Sequence, residues 1–237
     1  MSEQSMSYYL GIYRYHVPFP ADVVVRALSI LARWLPHFFP AELPVARKRS
    51  VRLSSPADYD PDLLPAAFKV NPVETWTPII GGGDAELEVA DNQQPWIIPA
   101  NVLVTFNAAL PSFVCLEGLL SDLIEAFQPD EARLTDEETQ IADEVRERRL
   151  EVDCSRVPAM FTWLTWLNPV LLEAAGPEAL ARLSTLCNVR PVAGGAIVRL
   201  QDEPTRVDDP EWSRRRQAAE DAFGLEALHR RFPRNVD

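Results

Sequence analysis

The residues with the clearest potential for chemistry lie in one stretch near the C-terminus, VAGGAIVRLQDEPTRVDDPEW, which runs from Val192 to Trp212. A glycine pair precedes an apolar run, and five acidic residues follow within ten positions: Asp202, Glu203, Asp208, Asp209 and Glu211. This pattern raises three alternatives, which are a phosphate-binding loop, an acidic metal site and an acidic surface for a protein partner.

The glycine pairs do not match a phosphate-binding loop. Gly194-Gly195 precedes an apolar predicted strand, whereas a phosphate loop places its glycines after a strand, so that a helix N-terminus faces the anion. The second cluster, Gly81–Gly83, is followed by Asp84 and Glu86, which would repel phosphate. Both clusters are therefore predicted to be turns, and no nucleotide cofactor is expected.

Local motifs for a metal site or a catalytic site are also missing. The acidic stretch lacks the central glycine and the ligand spacing of an EF-hand. The three histidines form no H-x-x-x-H pair: His16, His37 and His229. The three cysteines form no C-x-x-C pair: Cys115, Cys154 and Cys187. We therefore expect no metal, no cofactor and no catalytic residue, although an enzyme whose site is assembled only in space is an alternative.

Acidic residues that local structure does not explain are candidates for binding a partner. Asp209 is predicted to cap a helix and Glu211 lies in its first turn, where the helix dipole favours negative charge. Asp202 and Glu203 gain nothing from that helix, and together with Asp208 they form the first predicted partner-binding patch.

A second acidic patch lies near the middle of the chain, where no basic residue offsets it. Its residues are Asp84, Glu86, Glu88 and Asp91. Trp96 is nearby, and acids beside an exposed aromatic side chain are typical of a protein-binding face. A third acidic segment, residues 130–153, holds ten acids and four arginines, and it is predicted to be a solvated helix with internal ion pairs.

The overall charge agrees with a basic partner. The formal net charge is −12, and residues 1–80 carry 8 basic and 7 acidic side chains, so the negative charge lies in the rest of the chain. Such a field repels nucleic acid and favours basic partners, while solubility alone is the simpler explanation. No signal peptide and no membrane span are recognisable, so the cytoplasm is the expected location.

The periodicity of apolar residues predicts strands and helices that interleave along the chain. Strands are predicted over residues 8–17, 45–53, 86–90, 101–107, 159–167 and 195–200. Helices are predicted over 24–35, after Asp60-Pro61, after Ser112, over 136–149, from Pro177 and over 210–223, with a short tail helix. In strand 8–17 one face is predicted to carry Tyr9, Tyr13, Tyr15 and Val17, and in helix 136–149 the expected core anchors are Ile141 and Val145.

This order of elements favours an α+β fold, with a mixed or antiparallel sheet and helices packed on one face. Residues 1–237 are expected to form a single domain, with two similar lobes as an alternative.

The C-terminal third resembles the immunity protein 52 family. The segment PEALARLSTLCNVRPVAGGAIVRLQDEPTRVDDPEWSRRRQAAEDAFGL carries a leucine-bearing helix, then Gly-Gly and an apolar strand. Leu200 to Pro204 matches the end of that strand, and Asp209-Pro210-Glu211 opens an arginine-rich helix that closes on Phe223-Gly224-Leu225. The Trp-Leu-x-Trp-Leu pattern within residues 159–167 is also similar.

The resemblance implies an immunity protein of a bacterial type VI secretion toxin–immunity pair. Such a protein has no reaction of its own and neutralises its cognate toxin, which in some relatives is a nuclease of the restriction-endonuclease fold. A nuclease needs a basic surface for phosphates, and an acidic partner complements that surface. The alternatives are the spatially assembled enzyme and a generic adaptor, in which Trp96, Trp163 or Trp166 would lie on an exposed apolar patch.

Overall fold

The chain divides into two compact units, Met1–Pro129 and Asp130–Asp237. The computed structural model describes residues 7–15, 17, 19–20, 23–35, 42–46, 49–52, 79–82, 85–90, 100–106, 111–202 and 209–234. Helices and strands interleave, and the strand pairings within each unit are antiparallel, which confirms the α+β fold. In this described part of the chain, no helix has the length and apolar character that crossing a membrane requires.

The first unit contains six strands and two helices among its described residues. In chain order they are β1 (Tyr8–Arg14), α1 (Val23–Trp34), β2 (Glu42–Ala46), β3 (Arg49–Arg52), β4 (Ile79–Gly82), β5 (Ala85–Ala90), β6 (Ala100–Phe106) and α2 (Phe113–Phe127). Strands β4, β5, β6 and β1 lie side by side in that order, and β2 pairs with β3 as a separate hairpin. The predicted single strand over 45–53 is therefore two strands, and the predicted helix after Asp60-Pro61 lies outside the described residues.

An apolar core lies between this sheet and the two helices. Rows of side chains that are aligned across β5, β6 and β1 point to one face and are fully buried: Leu87, Val104 and Leu10 in one row, and Val89, Val102 and Ile12 in the next. Helix α1 packs against β5 and α2 against β1, so the helices cover this face. Tyr9 and Tyr13 of β1 lie on the opposite face, because side chains alternate along a strand.

Polar contacts fix the two helices to each other. Asp122 of α2 accepts hydrogen bonds from the Trp34 indole at 2.7 Å and from Arg33 at 2.8 Å, and Arg26 donates to the carbonyl of Ala126 at 2.6 Å. The predicted cap of α2 is confirmed, since the Ser112 hydroxyl accepts from the backbone N–H of Cys115.

The second unit contains four strands and five helices among its described residues. They are β7 (Glu131–Asp136), α3 (Glu137–Leu150), β8 (Leu164–Leu167), α4 (Pro169–Ala175), α5 (Pro177–Leu183), β9 (Asn188–Val192), β10 (Gly195–Arg199), α6 (Pro210–Phe223) and α7 (Leu225–Arg231). The order across the sheet is β7, β8, β10, β9. Every residue of β8 is buried, so both faces of the sheet are covered there. The apolar pattern misses β7, which carries charged residues, and β9, a mostly exposed strand that contains Pro191.

Helix α3 packs in the orientation opposite to the prediction. Ile141 and Val145 are 56% and 50% exposed, whereas Thr139 and Asp143 are buried. Asp143 forms an ion pair with Arg133 of β7, and the Arg133 guanidinium also lies 3.1 Å from Glu131. The expected apolar anchors are therefore wrong, because buried ion pairs outweigh two apolar side chains in placing this helix. The expected solvated helix describes only its outer side, where Glu137, Glu138 and Arg149 are exposed. The N-cap of α3 is Asp136, whose side chain accepts a hydrogen bond from the backbone N–H of Thr139.

Glu220 of α6 is the central polar group of this unit and is only 2% exposed. Its carboxylate accepts two hydrogen bonds from Arg146 of α3, at 3.2 and 2.8 Å, and one from the backbone N–H of Phe161 at 3.0 Å. Breaking a buried ion pair by removing one partner leaves an uncompensated charge, which is strongly destabilising. Glu220 therefore ties α3 and α6 to the segment that precedes β8.

His229 of α7 is a second buried polar group in the same unit. Its Nε2 lies 2.9 Å from the carbonyl oxygen of Pro158, which can only accept, so Nε2–H donates. Burial lowers the pKa of His229 below its usual value, the neighbouring Arg146 lowers it further, and Glu220 and Glu226 oppose the shift. The imidazole is therefore neutral at physiological pH and serves as a structural hydrogen-bond donor.

We expect Glu220→Gln to lower the free energy of unfolding by about 3 kcal/mol, because Arg146 keeps its charge and loses its carboxylate. Urea denaturation followed by circular dichroism measures the change. Asp221→Asn is the matched control, since Asp221 is the exposed neighbour on the same helix, and it should change stability by less than ~0.5 kcal/mol. A loss below about 1 kcal/mol for Glu220→Gln would contradict the role of this carboxylate.

We expect the protein to lose stability as the pH falls below about 6.5, the ordinary pKa of histidine. The unfolded chain takes up a proton there that buried His229 resists, so the free energy of unfolding falls by at most ~1.4 kcal/mol per pH unit. His229→Gln removes this contribution, while His16 and His37 are present in both proteins, so the comparison isolates His229. Parallel stability profiles of the two proteins between about pH 7.5 and 5 would show that His229 does not titrate differently on folding.

Candidate partner-binding surface

Gly194 lies in the turn between β9 and β10, and Gly195, the first residue of β10, packs against a tryptophan. Val192 pairs with Gly195, and the two residues between them, Ala193 and Gly194, have φ values of 41° and 80°. A two-residue hairpin with positive φ at both positions is a type I′ turn, so the predicted turn is confirmed. A Cβ on Gly195 would lie 2.4 Å from the Trp166 ring, which explains the second glycine by packing rather than by phosphate binding.

The acidic loop after β10 is partly neutralised by its own unit. The Asp202 carboxylate is exposed and lies 3.0 Å from the guanidinium of Arg199. Its negative charge is therefore already offset by a basic residue three positions earlier. Glu203 and Asp208 lie outside the described residues. Asp209 caps α6 as predicted, since its side chain accepts from the backbone N–H of Glu211 at 2.7 Å. The described acids of this stretch therefore have local contacts.

Glu86 and Glu88 of the second patch lie on the sheet face that α1 and α2 leave uncovered. Glu86 is exposed and Glu88 is half-buried. The register places Glu86 opposite Thr105, which is itself opposite Tyr9, and it places Glu88 opposite Leu103. Asp84, Asp91 and Trp96, which the sequence groups with these two acids, lie outside the described residues.

Tyr13 completes this surface. Its ring lies across Gly11, where a Cβ would meet the Tyr13 hydroxyl at 2.6 Å, and Gly11 is opposite Leu103 in the sheet register. We call the resulting surface the acidic sheet face, defined by residues that share one side of β1, β5 and β6: Tyr9, Tyr13, Glu86, Glu88, Leu103 and Thr105. The sequence places these tyrosines and glutamates more than seventy residues apart, and only strand pairing brings them together.

The composition of the acidic sheet face suits recognition of a basic protein surface. Tyrosine is enriched among the residues that dominate binding energy at interfaces. Carboxylates form short hydrogen bonds with lysine and arginine, which are about twice as strong as neutral ones. Glu86 and Glu88 point to the same side of one strand, so their charges repel each other and a cation placed between them relieves that repulsion.

The candidate catalytic residues that the structure describes are engaged in packing. His229 is bound to the Pro158 carbonyl, and His16 and His37 lie outside the described residues. Burial raises the pKa of Cys115 and of Cys154, and it raises the pKa of Cys187 to about 11. Each of these thiols is therefore protonated at neutral pH, whereas a cysteine nucleophile acts as the thiolate.

Two further observations concern the alternative functions, namely an enzyme with a metal site and an adaptor with an exposed apolar patch. Within the described ranges, no three His, Cys, Asp or Glu side chains converge as a metal site requires. Trp163 and Trp166 are buried, and Trp163 packs on Trp212 with ring centroids 6.2 Å apart. These two tryptophans therefore belong to the core of the second unit, and neither provides the exposed apolar patch of an adaptor.

Comparison with known proteins identifies a fold neighbour but no family. No family model and no curated protein sequence matches the chain. Among solved structures, the chain is similar to the Pseudomonas aeruginosa T6SS protein PA0821, at 14% sequence identity and a TM-score of 0.58. The match covers 93% of this chain and 72% of that one. At this level of identity, the likeness shows that the two proteins share a fold.

Proposed function

We propose that this chain is an immunity protein of a type VI secretion toxin–immunity pair, which binds its cognate toxin in the cytoplasm of the producing cell. The observation that carries the proposal is the fold likeness over 93% of the chain to a protein named for the type VI secretion system. The resemblance of the C-terminal third to the immunity protein 52 family supports the same role. In this role the chain blocks the toxin by non-covalent binding and has no reaction of its own.

The charge of the chain supports a nuclease as the cognate toxin. A protein that binds the phosphate backbone of a nucleic acid presents lysine and arginine on its surface. A partner with a formal charge of −12 is attracted to that surface, which speeds encounter and favours the correct pairing. The same charge repels nucleic acid. The chain is therefore expected to bind the toxin itself and not the nucleic acid on which the toxin acts.

The acidic sheet face is the best supported contact surface for the toxin. Asp202 is already paired with Arg199, whereas neither Glu86 nor Glu88 has an ion pair among the described residues. An arginine or lysine of the toxin placed over β5 relieves the repulsion between these two carboxylates. Tyr9, on the same face two strands away, adds apolar area and a hydroxyl to the contact.

We expect expression of this chain to protect cells from the toxin encoded beside its gene, and we expect the two proteins to copurify. Survival of cells that express the toxin with and without this chain measures protection. An unrelated acidic protein of similar size and charge is the control, because it carries the negative charge without the specific surface. Full lethality in the presence of this chain would contradict the proposal.

We expect the double substitution Glu86→Lys/Glu88→Lys to slow association with the toxin about tenfold at low salt, and to weaken the dependence of the association rate on salt. The matched control is Glu173→Lys/Glu178→Lys, which changes the net charge equally at two exposed positions on α4 and α5. Surface plasmon resonance at several salt concentrations measures both rates. Equal slowing by the two variants would mean that the net charge acts, rather than the acidic sheet face.

The triple substitution of Asp202, Glu203 and Asp208 to lysine tests the first predicted patch in the same assay. We expect a smaller effect than for Glu86→Lys/Glu88→Lys, because Arg199 already offsets the charge of Asp202. A larger effect of the triple variant would place the main contact in the loop after β10.

A further inference from the structure

Helix α3 directs some of its charged side chains inward and the apolar side chains of Ile141 and Val145 outward. Asp143 is paired with Arg133 and Arg146 with Glu220, so two charged side chains of α3 are held inside the second unit. On the other side, Ile141 and Val145 are four residues apart and therefore adjacent on the helix surface. These ion pairs prevent α3 from rotating to bury the two apolar side chains, so the apolar strip is a permanent part of the surface.

The exposed side of α3 is self-complementary in charge. Glu137 and Arg149 are both exposed and each lies six residues from Asp143, while Ile141 and Val145 each lie two residues from it. If two copies of α3 pair antiparallel about a two-fold axis at Asp143, Ile141 of one copy meets Val145 of the other. The same arrangement brings Glu137 of each copy next to Arg149 of its partner, as an isologous interface requires.

We propose that the exposed side of α3 binds a second copy of this chain and forms a homodimer. A second copy places an arginine beside Glu137 at one end of the apolar strip and a glutamate beside Arg149 at the other end, so each of these charges has a partner of opposite sign. A basic toxin would be attracted to Glu137 but repelled by Arg149, which makes it a poorer occupant of this surface. The inference does not rest on the proposed function, because the acidic sheet face belongs to the first unit and α3 to the second.

The size of the strip sets the strength of the dimer. A helix of 14 residues is about 21 Å long, and pairing along one side buries less than the ~800 Å² per partner of a standard interface. We therefore expect a reversible dimer with a dissociation constant in the micromolar range or weaker, which dilution separates into monomers.

Sedimentation velocity of the full chain from about 1 to about 500 µM tests the proposal. We expect the weight-average mass to rise towards twice that of the chain, and Ile141→Glu to shift the rise to at least about tenfold higher concentration. The matched control is Val170→Glu, since Val170 of α4 is 55% exposed against 56% for Ile141, and this control should associate as the wild type does. A monomer at every concentration overturns the proposal, as does equal association of Ile141→Glu and wild type.

A charge-exchange experiment tests the antiparallel arrangement. Glu137→Lys and Arg149→Glu should each weaken self-association about tenfold, since each homodimer then brings like charges together twice. Mixing the two variants in equal amounts should restore association, because Lys faces Glu at one contact and the native pair forms at the other. A purely structural effect of either substitution would not be reversed by mixing. Failure of the mixture to associate more strongly than both single variants overturns the proposed pairing.

Discussion

The second unit depends on a carboxylate that is removed from water. A buried charge costs several kcal/mol unless close partners offset it, and Glu220 has Arg146 and the backbone N–H of Phe161 as partners. The carboxylate and its two partners come from three separate parts of the chain, so the carboxylate is satisfied only when all three parts are in place. Once Arg146 is held by Glu220, the orientation of α3 about its own axis is set, and Ile141 and Val145 must face solvent.

Burial also decides which acids are available at the surface of the protein. The chain contains 35 acidic residues, but several of them are inside the second unit: Glu131, Asp136, Asp143 and Glu220. Arg133 and Arg146 offset most of these charges within the fold. A basic partner responds to charges at the surface, such as Glu86 on the acidic sheet face, more than to the formal total. Among the described residues, the second unit thus buries four carboxylates, whereas the first unit buries one, that of Glu117.

Elements with a strong local signal could be predicted from the sequence. Helix α2 has leucines at helical spacing and a serine cap, and α6 begins with Asp-Pro-Glu and ends at Gly224, so both helices were predicted close to their observed bounds. The hairpin between β4 and β5 follows from its glycines. Strand β7 and the orientation of α3 could not be predicted, because their charged residues are typical of a solvated segment until the partners that bury them are known. The acidic sheet face escaped prediction in part, since the tyrosines of β1 and the glutamates of β5 are joined only by strand register.

The sequence by itself determined the α+β class, the turn at Gly194, most helix starts and the excess of negative charge, because each depends on neighbouring residues or on composition. Only the tertiary structure decided which acids are buried, which face of α3 is exposed and which side chains share the acidic sheet face. The physical reason is that the free energy of a charged side chain depends on the groups around it, and those groups come from distant parts of the chain. The sequence writes a glutamate in the same way whether it is buried or exposed. Buried beside an arginine, its carboxylate stabilises the fold, whereas in water it remains a charge on the surface.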